Sequence, residues 1–235
     1  AEAGFTEQIL RLPHSHLCYA PEEIRAMPET SYEAPVRRNG YVTFGSFNNF
    51  AKVTDEILLL WRGILESVRG AKLVIKGKIA SIDSGLHFAK KRLSILNYDL
   101  TRVEFRPFSP DYLEQYRDID IALDTAPYNG GLTTCEALYM GVPVIALRGR
   151  THGARFGASI LTNAGVRELV AENDINYVRR AVQLAESPKL IDGYHAGLRT
   201  SMKKSPLMDI QGYMNALEAA YEEIWKKFCA VQSSS

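Results

Sequence analysis

The amino-acid sequence predicts an α/β protein with a doubly wound parallel sheet, in which helices cover both faces. From Tyr41 onward, short apolar stretches alternate at least five times with stretches of helical periodicity, and such alternation is typical of parallel sheets. The 235 residues, 46% hydrophobic and 23% charged, are enough to bury one large core or two small ones. Ligands of such sheets bind at the carboxyl ends of the strands.

The first forty residues predict an irregular start. Apolar residues from Phe5 to Leu12 suggest a short helix. Prolines then recur at regular intervals and favour an extended, turning path over a neighbouring surface; they are Pro13, Pro21, Pro28 and Pro35. His14 and His16 lack further ligand-type residues nearby, so metal binding there is disfavoured.

Three strands and their helices precede the centre of the chain. The segment Tyr41–Phe47 is β-branched and aromatic, as expected of a strand. Thr54 is a suitable N-cap for a helix that continues at helical spacing to Val68, with Asp55 and Glu56 in its first turn. The remaining predictions here are a strand over 72–76, a helix over 84–96, a strand over 103–105, a loop over 106–110 and a short helix over 110–116.

The second half of the chain continues the alternation. A strand over 119–123 enters a glycine-rich turn and a helix over 133–140 leaves it, ended by Gly141 and Pro143. Further predictions are a strand over 144–147, a helix from the basic loop 148–155 to residue 161, a short strand at 169–170, and helices over 174–186, 188–203 and 211–228. The serine-rich end is predicted to be disordered.

The stretch Asp124–Glu136 carries the strongest functional signal. Its turn contains residues that permit a sharp bend and a close approach of another molecule, namely Asn129, Gly130 and Gly131. A helix that begins at Thr133 would offer unpaired N–H groups to a phosphate. The hydroxyls of Thr133 and Thr134 lie beside these groups, and Glu136 is placed to accept from ribose hydroxyls. The stretch therefore predicts a nucleotide site.

Plainer interpretations stand beside this one. Thr133 and Glu136 also fit a capping box, in which the two side chains close the helix end by themselves. Asp124 fits a residue that only holds the turn, and Cys135 fits a small buried residue rather than a nucleophile. The motif alone therefore does not decide between a structural and a functional role.

Three strand-to-helix loops are predicted to meet at one edge of the sheet. The first carries Asn49 and Lys52, the second is the motif described above, and the third carries Arg150, His152 and Arg155. Backbone amides at helix starts and charges on long side chains are complementary phosphate donors. A diphosphate is therefore the predicted ligand, although Lys52 considered alone is typical of a surface lysine.

Several other chemistries lack their motifs. There is no G-x-x-x-x-G-K-[ST] loop, no G-x-G-x-x-G after the first strand and no G-x-S-x-G elbow. No metal-ligand spacing occurs, so we predict no metal and no cofactor. A net charge of +1 disfavours nucleic acid as a partner. Three separated cysteines indicate free thiols in a reducing compartment. Without a leader or an apolar run of about 18 residues, we predict a cytoplasmic protein with no membrane partner.

Several segments resemble those of the O-GlcNAc transferase and SPINDLY family. The longest covers residues 123–143, with the sequence LDTAPYNGGLTTCEALYMGVP. The resemblance continues through residues 12–14, 44–52, 153–162, 168–171, 204–207 and 225–229. It therefore spans nearly the whole chain, and its central block is long and specific.

The resemblance implies a GT-B glycosyltransferase, built from two facing Rossmann-like halves, of which this chain is the carboxyl-terminal half. Residues 1–40 would connect from the other half, residues 41–210 would form the nucleotide-sugar-binding domain, and the helix in 211–235 would pack back across the connection. The family's proposed general base lies in the other half, and its TPR repeats, which hold protein acceptors, lie upstream. The chain alone is therefore expected to bind nucleotide weakly and to transfer nothing.

The resemblance also assigns roles to single residues, with Lys52 as the catalytic contact. The positions that would contact the diphosphate or sugar are Asn49, Lys52, Thr133 and Thr134. Glu136 would hold the ribose, while Ser109 and Tyr112 would line the base pocket. The predicted donor-binding set is completed by Asn129, Gly130, Gly131, His152 and Arg155. No metal is needed if these groups suffice.

Some positions depart from the animal O-GlcNAc enzymes, which have glutamine at Asn49, lysine at Ser109, and histidine and threonine at Gly131 and Leu132. SPINDLY-type enzymes share the Thr-Thr-Cys-Glu run, and that branch includes protein fucosyltransferases. The donor is thus UDP-GlcNAc or GDP-fucose, with a UDP sugar favoured, and the acceptor is a protein Ser or Thr. A nucleotide-sugar epimerase, another GT-B transferase and a non-catalytic binding module are the alternatives.

Overall fold

The computed structural model describes residues 5–21, 26–31 and 33–232. Its centre is a six-stranded sheet with the order β3-β2-β1-β4-β5-β6, in which every neighbouring pair is parallel. The strands are β1 (Thr43–Ser46), β2 (Lys72–Lys76), β3 (Val103–Arg106), β4 (Ile121–Leu123), β5 (Val144–Leu147) and β6 (Val170–Ala171). The predicted doubly wound parallel α/β fold is confirmed.

The α-helices of the described residues are α1 (Pro35–Asn39), α2 (Asp55–Ser67), α3 (Asp83–Ile95), α4 (Leu132–Tyr139), α5 (Phe156–Asn163), α6 (Asp174–Ala185), α7 (Pro188–Lys203) and α8 (Ile210–Gln232). Within the described residues, an α-helix follows every strand except β3, α1 precedes β1, and α7 and α8 follow α6. Short 3₁₀ turns lie at 50–52, 78–81, 100–102, 114–118, 153–155 and 167–169. The strands and helices predicted from Tyr41 to the end of α7 are therefore present, except near residue 110.

The strand order reverses between β1 and β4. Phe44 in β1 is paired with Leu73 on one side and with Ile121 on the other. Gly45 is required between them, because a Cβ there would lie 2.8 Å from Ile119 Cδ1. A crevice opens at the carboxyl ends of the strands where the order of a doubly wound sheet reverses, and ligands bind there.

Helix α2 forms for the reasons that its sequence indicates. Thr54 caps it, since its hydroxyl oxygen accepts from the Ile57 N–H at 3.3 Å. Its buried face consists of Ile57, Leu58, Trp61, Ile64 and Leu65. Burial of each large apolar side chain contributes roughly 1.5–3 kcal/mol. The helix is thus held firmly just after the loop that carries Lys52.

The segment before β1 lies against the surface of the domain. Asp120, fully buried before β4, accepts from the Val36 N–H and from the Thr43 N–H, both at 2.7 Å. Further upstream, the Tyr19 N–H donates to Leu207 O at 2.7 Å. These bonds join residues far apart in the chain and hold the extended path predicted for this segment. That this segment connects the domain to another half of the protein stays a prediction.

Two predicted helices are wrong, and one helix was missed. Residues 5–12 are irregular; Phe5 and Leu10 are 48% and 43% exposed, so a helix would have little to pack on, and short isolated helices are unstable. Residues 110–116 form a turn that enters the 3₁₀ turn Glu114–Asp118. The buried residues there, Leu113 and Tyr116, are three apart, a spacing that suits a 3₁₀ turn. The missed helix is α1, too short to show periodicity.

Helix α8 contacts the connecting segment through its first turns. The Tyr213 hydroxyl donates to His16 O at 3.2 Å, and Leu217 lines a cleft with residues 9–12. From 221 to 230 the helix is exposed, including Trp225 and Phe228. The end predicted to be disordered, residues 233–235, lies outside the described residues.

The three cysteines are free thiols. Cys135 is fully buried in α4, and burial raises the pKa of its thiol to about 12. It is therefore a packed residue with little thiolate character, as the plainer interpretation predicted. Over the parts of the chain that the structure describes, no helix is both long and apolar enough to cross a bilayer.

Candidate functional site

The three predicted loops meet at the carboxyl edge of the sheet. Lys52 Nζ, in the loop after β1, donates to Asn129 O in the loop after β4 at 3.2 Å. The ammonium also lies 4.6 Å from the centre of the Tyr128 ring, and that ring contacts Phe156 at the start of α5 with 5.8 Å between centroids. The structure thus brings together the loops that the sequence placed on one edge.

Lys52 is partly removed from water. It is half-buried, and burial lowers the pKa of its ammonium, while the nearby Asp124 charge opposes this shift. A cation that has lost part of its hydration gains more from a phosphate oxygen than a solvated one does. The backbone carbonyl of Asn129 directs this charge toward the start of α4.

Asp124 organises the turn before α4. Its Oδ1 accepts from the Gly130 N–H at 2.7 Å and from the Thr125 N–H at 2.8 Å. Its carbonyl oxygen accepts from the Tyr177 hydroxyl at 2.8 Å. The side chain is 1% exposed, and burial raises its pKa to about 7 despite the two N–H donors. The prediction that Asp124 holds the turn is confirmed.

The start of α4 is not closed by a capping box. The helix begins at Leu132, one residue earlier than predicted, and no side chain caps its first turn. The Thr133 hydroxyl donates to Asn48 Oδ1 at 2.9 Å, whereas the Glu136 carboxylate accepts from the Tyr112 hydroxyl. The capping-box interpretation is therefore wrong, because both side chains are bonded elsewhere.

Two adjacent glycines have different reasons to be glycine. A Cβ on Gly130 would lie 2.6 Å from Thr134 Oγ1 and 2.7 Å from Thr133 Oγ1, so no side chain fits. A Cβ on Gly131 would meet nothing within 4 Å, so this position faces open space. Thr134 is 2% exposed, so its hydroxyl is enclosed within the turn. On the open side of the turn, at Gly131, backbone N–H groups can therefore face a ligand.

The predicted base pocket has two supports that the sequence analysis missed. Lys76, 3% exposed at the end of β2, donates to Ser109 Oγ at 3.0 Å and to Pro107 O at 2.6 Å. Gln115 Nε2 also donates to Ser109 Oγ, at 2.9 Å. Burial lowers the pKa of the Lys76 ammonium. Its position at the carboxyl end of an apolar strand was the available signal.

Tyr112 and Glu136 lie together, as the proposed contacts to base and ribose require. Their hydroxyl and carboxylate are hydrogen-bonded, and Glu136 is 1% exposed. A buried carboxylate needs such a donor, since an unpaired one would be strongly disfavoured. The ribose contact of Glu136 stays a prediction.

Asn129 and Asn49 have local structural partners. Asn129 is fully buried, and its amide nitrogen donates to Thr125 O at 2.8 Å, so only its backbone carbonyl reaches Lys52. Asn49 Oδ1 accepts from the Ala51 N–H at 3.1 Å and caps the short turn 50–52 that carries Lys52. Both residues shape the loops, and their contacts with a donor stay predictions.

His152 and Arg155 lie on the outer side of the third loop. The exposed His152 ring packs edge-on against Phe156, with 5.0 Å between centroids. Arg155 is exposed, and its Nε donates to Gly149 O at 3.2 Å. Both residues face a cleft shared with the connecting segment. Across residues 5–21, 26–31 and 33–232, no cluster of three or more His, Cys, Asp and Glu residues is arranged to hold a metal.

These features define a class of protein. An open parallel sheet with the order 3-2-1-4-5-6 presents a lysine and an uncapped helix start at its switch point. This is the arrangement of a nucleotide-binding α/β domain.

The chain belongs to glycosyl transferase family 41, whose sequence model matches residues 17–217. It is 40% identical over 226 residues to a probable UDP-N-acetylglucosamine–peptide N-acetylglucosaminyltransferase SPINDLY of Eustoma exaltatum subsp. russellianum, a match that covers 95% of this chain and 24% of that protein. The resemblance to the O-GlcNAc transferase and SPINDLY family is thereby confirmed.

Solved structures show the same fold. An O-GlcNAc transferase of Thermobaculum terrenum superposes with a TM-score of 0.82 at 29% identity, over 98% of this chain and 43% of that one. HepE of Anabaena, solved with UDP and glucose, superposes with a TM-score of 0.56 at 13% identity, over 80% of this chain and 51% of that one. The fold is that of the glycosyltransferases with GT-B architecture. The chain spans about a quarter of the length of the curated relatives that it matches.

Proposed function

We propose that this chain is the nucleotide-sugar-binding part of a protein O-glycosyltransferase, which moves a sugar from a nucleotide diphosphate to Ser or Thr of a protein. The observation that carries the proposal is Lys52, held by its bond to Asn129 O beside the uncapped start of α4. An ammonium and a set of backbone N–H groups are the donors that a diphosphate requires.

The donor is proposed to be UDP-GlcNAc. The names of the plant relatives and of a Caenorhabditis elegans relative specify UDP-N-acetylglucosamine, and the HepE structure contains UDP. GDP-fucose is the alternative, because the Thr-Thr-Cys-Glu run is shared with SPINDLY-type enzymes. Side-by-side titration with UDP and GDP distinguishes the two.

In the complete protein, Lys52 and the start of α4 would stabilise the negative charge that develops on the leaving diphosphate. Loss of one such donor costs about 10²–10³-fold in rate in other enzymes. Glu136 would orient the ribose and Tyr112 the base. The general base and the acceptor-binding TPR repeats would lie outside this chain, so we expect the chain alone to bind nucleotide and transfer nothing. A metal-free reaction and a cytoplasmic location are parts of the same proposal.

Isothermal calorimetry with UDP and GDP tests the proposal. Lys52→Met removes the ammonium and keeps most of the side-chain volume. A hydrogen bond to a charged group contributes about 1.5–3 kcal/mol, so the dissociation constant is expected to rise about 10- to 100-fold.

Lys90→Met is the matched control, because Lys90 is exposed on α3, which flanks another part of the sheet. We expect it to bind nucleotide like the wild type. If neither UDP nor GDP binds the wild-type chain, the chain is a binding module that has lost its ligand. If Lys52→Met binds as tightly as Lys90→Met, the assigned role of Lys52 is wrong.

A further inference from the structure

A basic cleft adjoins the candidate donor site and shares His152 and Arg155 of the predicted donor-binding set with it, while its other lining residues have no part in the proposed function. Two neighbouring cavities of about 380 Å³ and 360 Å³ share His14, Arg155 and Ser159 in their walls. One lies between the connecting segment and α5, and the other lies between α5 and the end of β6. We call the two together the basic cleft.

The charge of the cleft is one-sided. Its lining residues include four arginines, which are Arg11, Arg148, Arg155 and Arg167. Among its lining residues the acid is Glu172, which forms an ion pair with Arg148 at 3.2 Å. The chain as a whole carries a net charge of only +1, so this positive charge is local. A concentration of one sign in a concave surface attracts ligands of the opposite sign.

The cleft also has an apolar wall. Ile9, Leu10, Leu12 and Leu217 line it together with the basic residues. A single phosphate ion would make no use of this wall, whereas a polypeptide presents carboxylates and apolar side chains in alternation along an extended backbone.

The Phe156 ring in the cleft is covered by two histidine rings. The Phe156 ring is stacked against His16 with 4.5 Å between centroids, and His152 packs edge-on against it. Single-stranded nucleic acid binds to positive grooves by stacking its bases on open aromatic rings. The cleft therefore suits an acidic polypeptide better than a nucleic acid.

The cleft lies next to the site around Lys52. Phe156 forms its floor and contacts Tyr128 on the other side, and Tyr128 lies under the Lys52 ammonium. A polypeptide in the cleft would thus extend past His152 to the place where the donor's diphosphate is proposed to lie.

We propose that the basic cleft binds an acidic polypeptide segment with interspersed apolar residues. The further identification of that segment as the sequence flanking the acceptor hydroxyl rests on the proposed function. Acceptors with aspartate or glutamate on one side of the modified residue would then be preferred over neutral ones.

Fluorescence anisotropy tests the proposal with a labelled peptide of alternating glutamate, leucine and serine, and with the same peptide carrying glutamine for glutamate. We expect the acidic peptide to bind and to weaken with added salt. Arg167→Glu replaces an attraction by a repulsion and is expected to weaken binding about fivefold. Arg167 does not belong to the proposed donor site.

Arg69→Glu is the control, because Arg69 is equally exposed but follows α2, at the opposite edge of the sheet. It is expected to bind the peptide within about twofold of the wild type. Four results would each overturn the proposal. The first two are equal binding of the glutamine peptide and equal binding of the acidic peptide by Arg167→Glu. The others are tighter binding of a single-stranded RNA of the same charge and complete displacement of the peptide by UDP. Peptide binding without any UDP or GDP binding would refute the proposed function and leave the peptide site supported.

Discussion

The hydroxyl of Tyr177 connects two helices to the turn that forms the candidate site. It accepts from Trp61 Nε1–H at 3.0 Å and donates to the carbonyl oxygen of Asp124 at 2.8 Å. Trp61 and Tyr177 are fully buried, and Asp124 is 1% exposed. Tyr177→Phe removes one oxygen and keeps the ring, so its effect is confined to these two bonds.

The magnitude follows from the two groups that lose their partner. Each buried donor or acceptor left unpaired costs about 1–3 kcal/mol, so we expect the two groups together to lower the unfolding free energy by about 2–6 kcal/mol. Domains are stable by only about 5–15 kcal/mol, so this one atom supports a large fraction of the total. Because Asp124 Oδ1 also positions the Gly130 N–H, nucleotide affinity is expected to fall as well.

Urea unfolding followed by tryptophan fluorescence measures the loss, and the midpoint is expected to fall by about 1 M or more. Tyr213→Phe is the matched control, since the bond of that hydroxyl to His16 O at 3.2 Å lies at the surface. The control is expected to lose less than about 0.5 kcal/mol. A loss that small for Tyr177→Phe would refute the reasoning that both partners are left without a replacement.

Three further changes test other parts of the site. Gly130→Ala forces a Cβ to within 2.6 Å of Thr134 Oγ1, so thermal unfolding should show that the free energy of unfolding falls by about 1–3 kcal/mol. A Cβ on Gly131 meets nothing within 4 Å, so Gly131→Ala should leave the unfolding midpoint unchanged while weakening nucleotide binding. Equal midpoints for the two variants would contradict this difference. Burial lowers the Lys52 pKa and only the ammonium binds a diphosphate, so the affinity for nucleotide should fall as pH rises toward the ordinary lysine range. Lys52→Arg should keep its nucleotide affinity at that pH, because guanidinium stays charged. Parallel pH profiles of the two proteins would contradict the role assigned to Lys52. Tyr112→Phe removes a donor from the buried Glu136 carboxylate, so the free energy of unfolding should fall by about 1–3 kcal/mol and nucleotide binding should weaken. Calorimetry that shows neither change would contradict the importance of the Tyr112–Glu136 hydrogen bond.

Local patterns predicted most of the fold. Helix α2 begins after Thr54 as its N-cap and acidic first turn indicate, and β2 has the predicted bounds. The failures lie where tertiary packing overrides local propensity. Apolar residues between Phe5 and Leu12 do not form a helix because the domain offers them little surface, and the region before β4 folds as a 3₁₀ turn around Leu113 and Tyr116.

The residues of the candidate site divide in the same way. Lys52, Gly130 and Glu136 were predicted because helix starts and glycine turns have short-range signatures. Lys76 and Tyr177 were missed because their partners lie 31 or more residues away in the chain, and no periodicity indicates such a contact.

The sequence by itself determined the alternation of strands and helices, the turn at Gly130, the family resemblance and the edge of the sheet where the candidate site lies. These depend on spacing and residue type within a few turns of the chain. Only the tertiary structure decided that the capping box is not formed, that Lys52 is held by Asn129 O, and that a basic cleft adjoins the donor site. The physical reason is that each of these requires loops distant in sequence to meet, and hydrogen bonds and charge act through distance in space rather than along the chain.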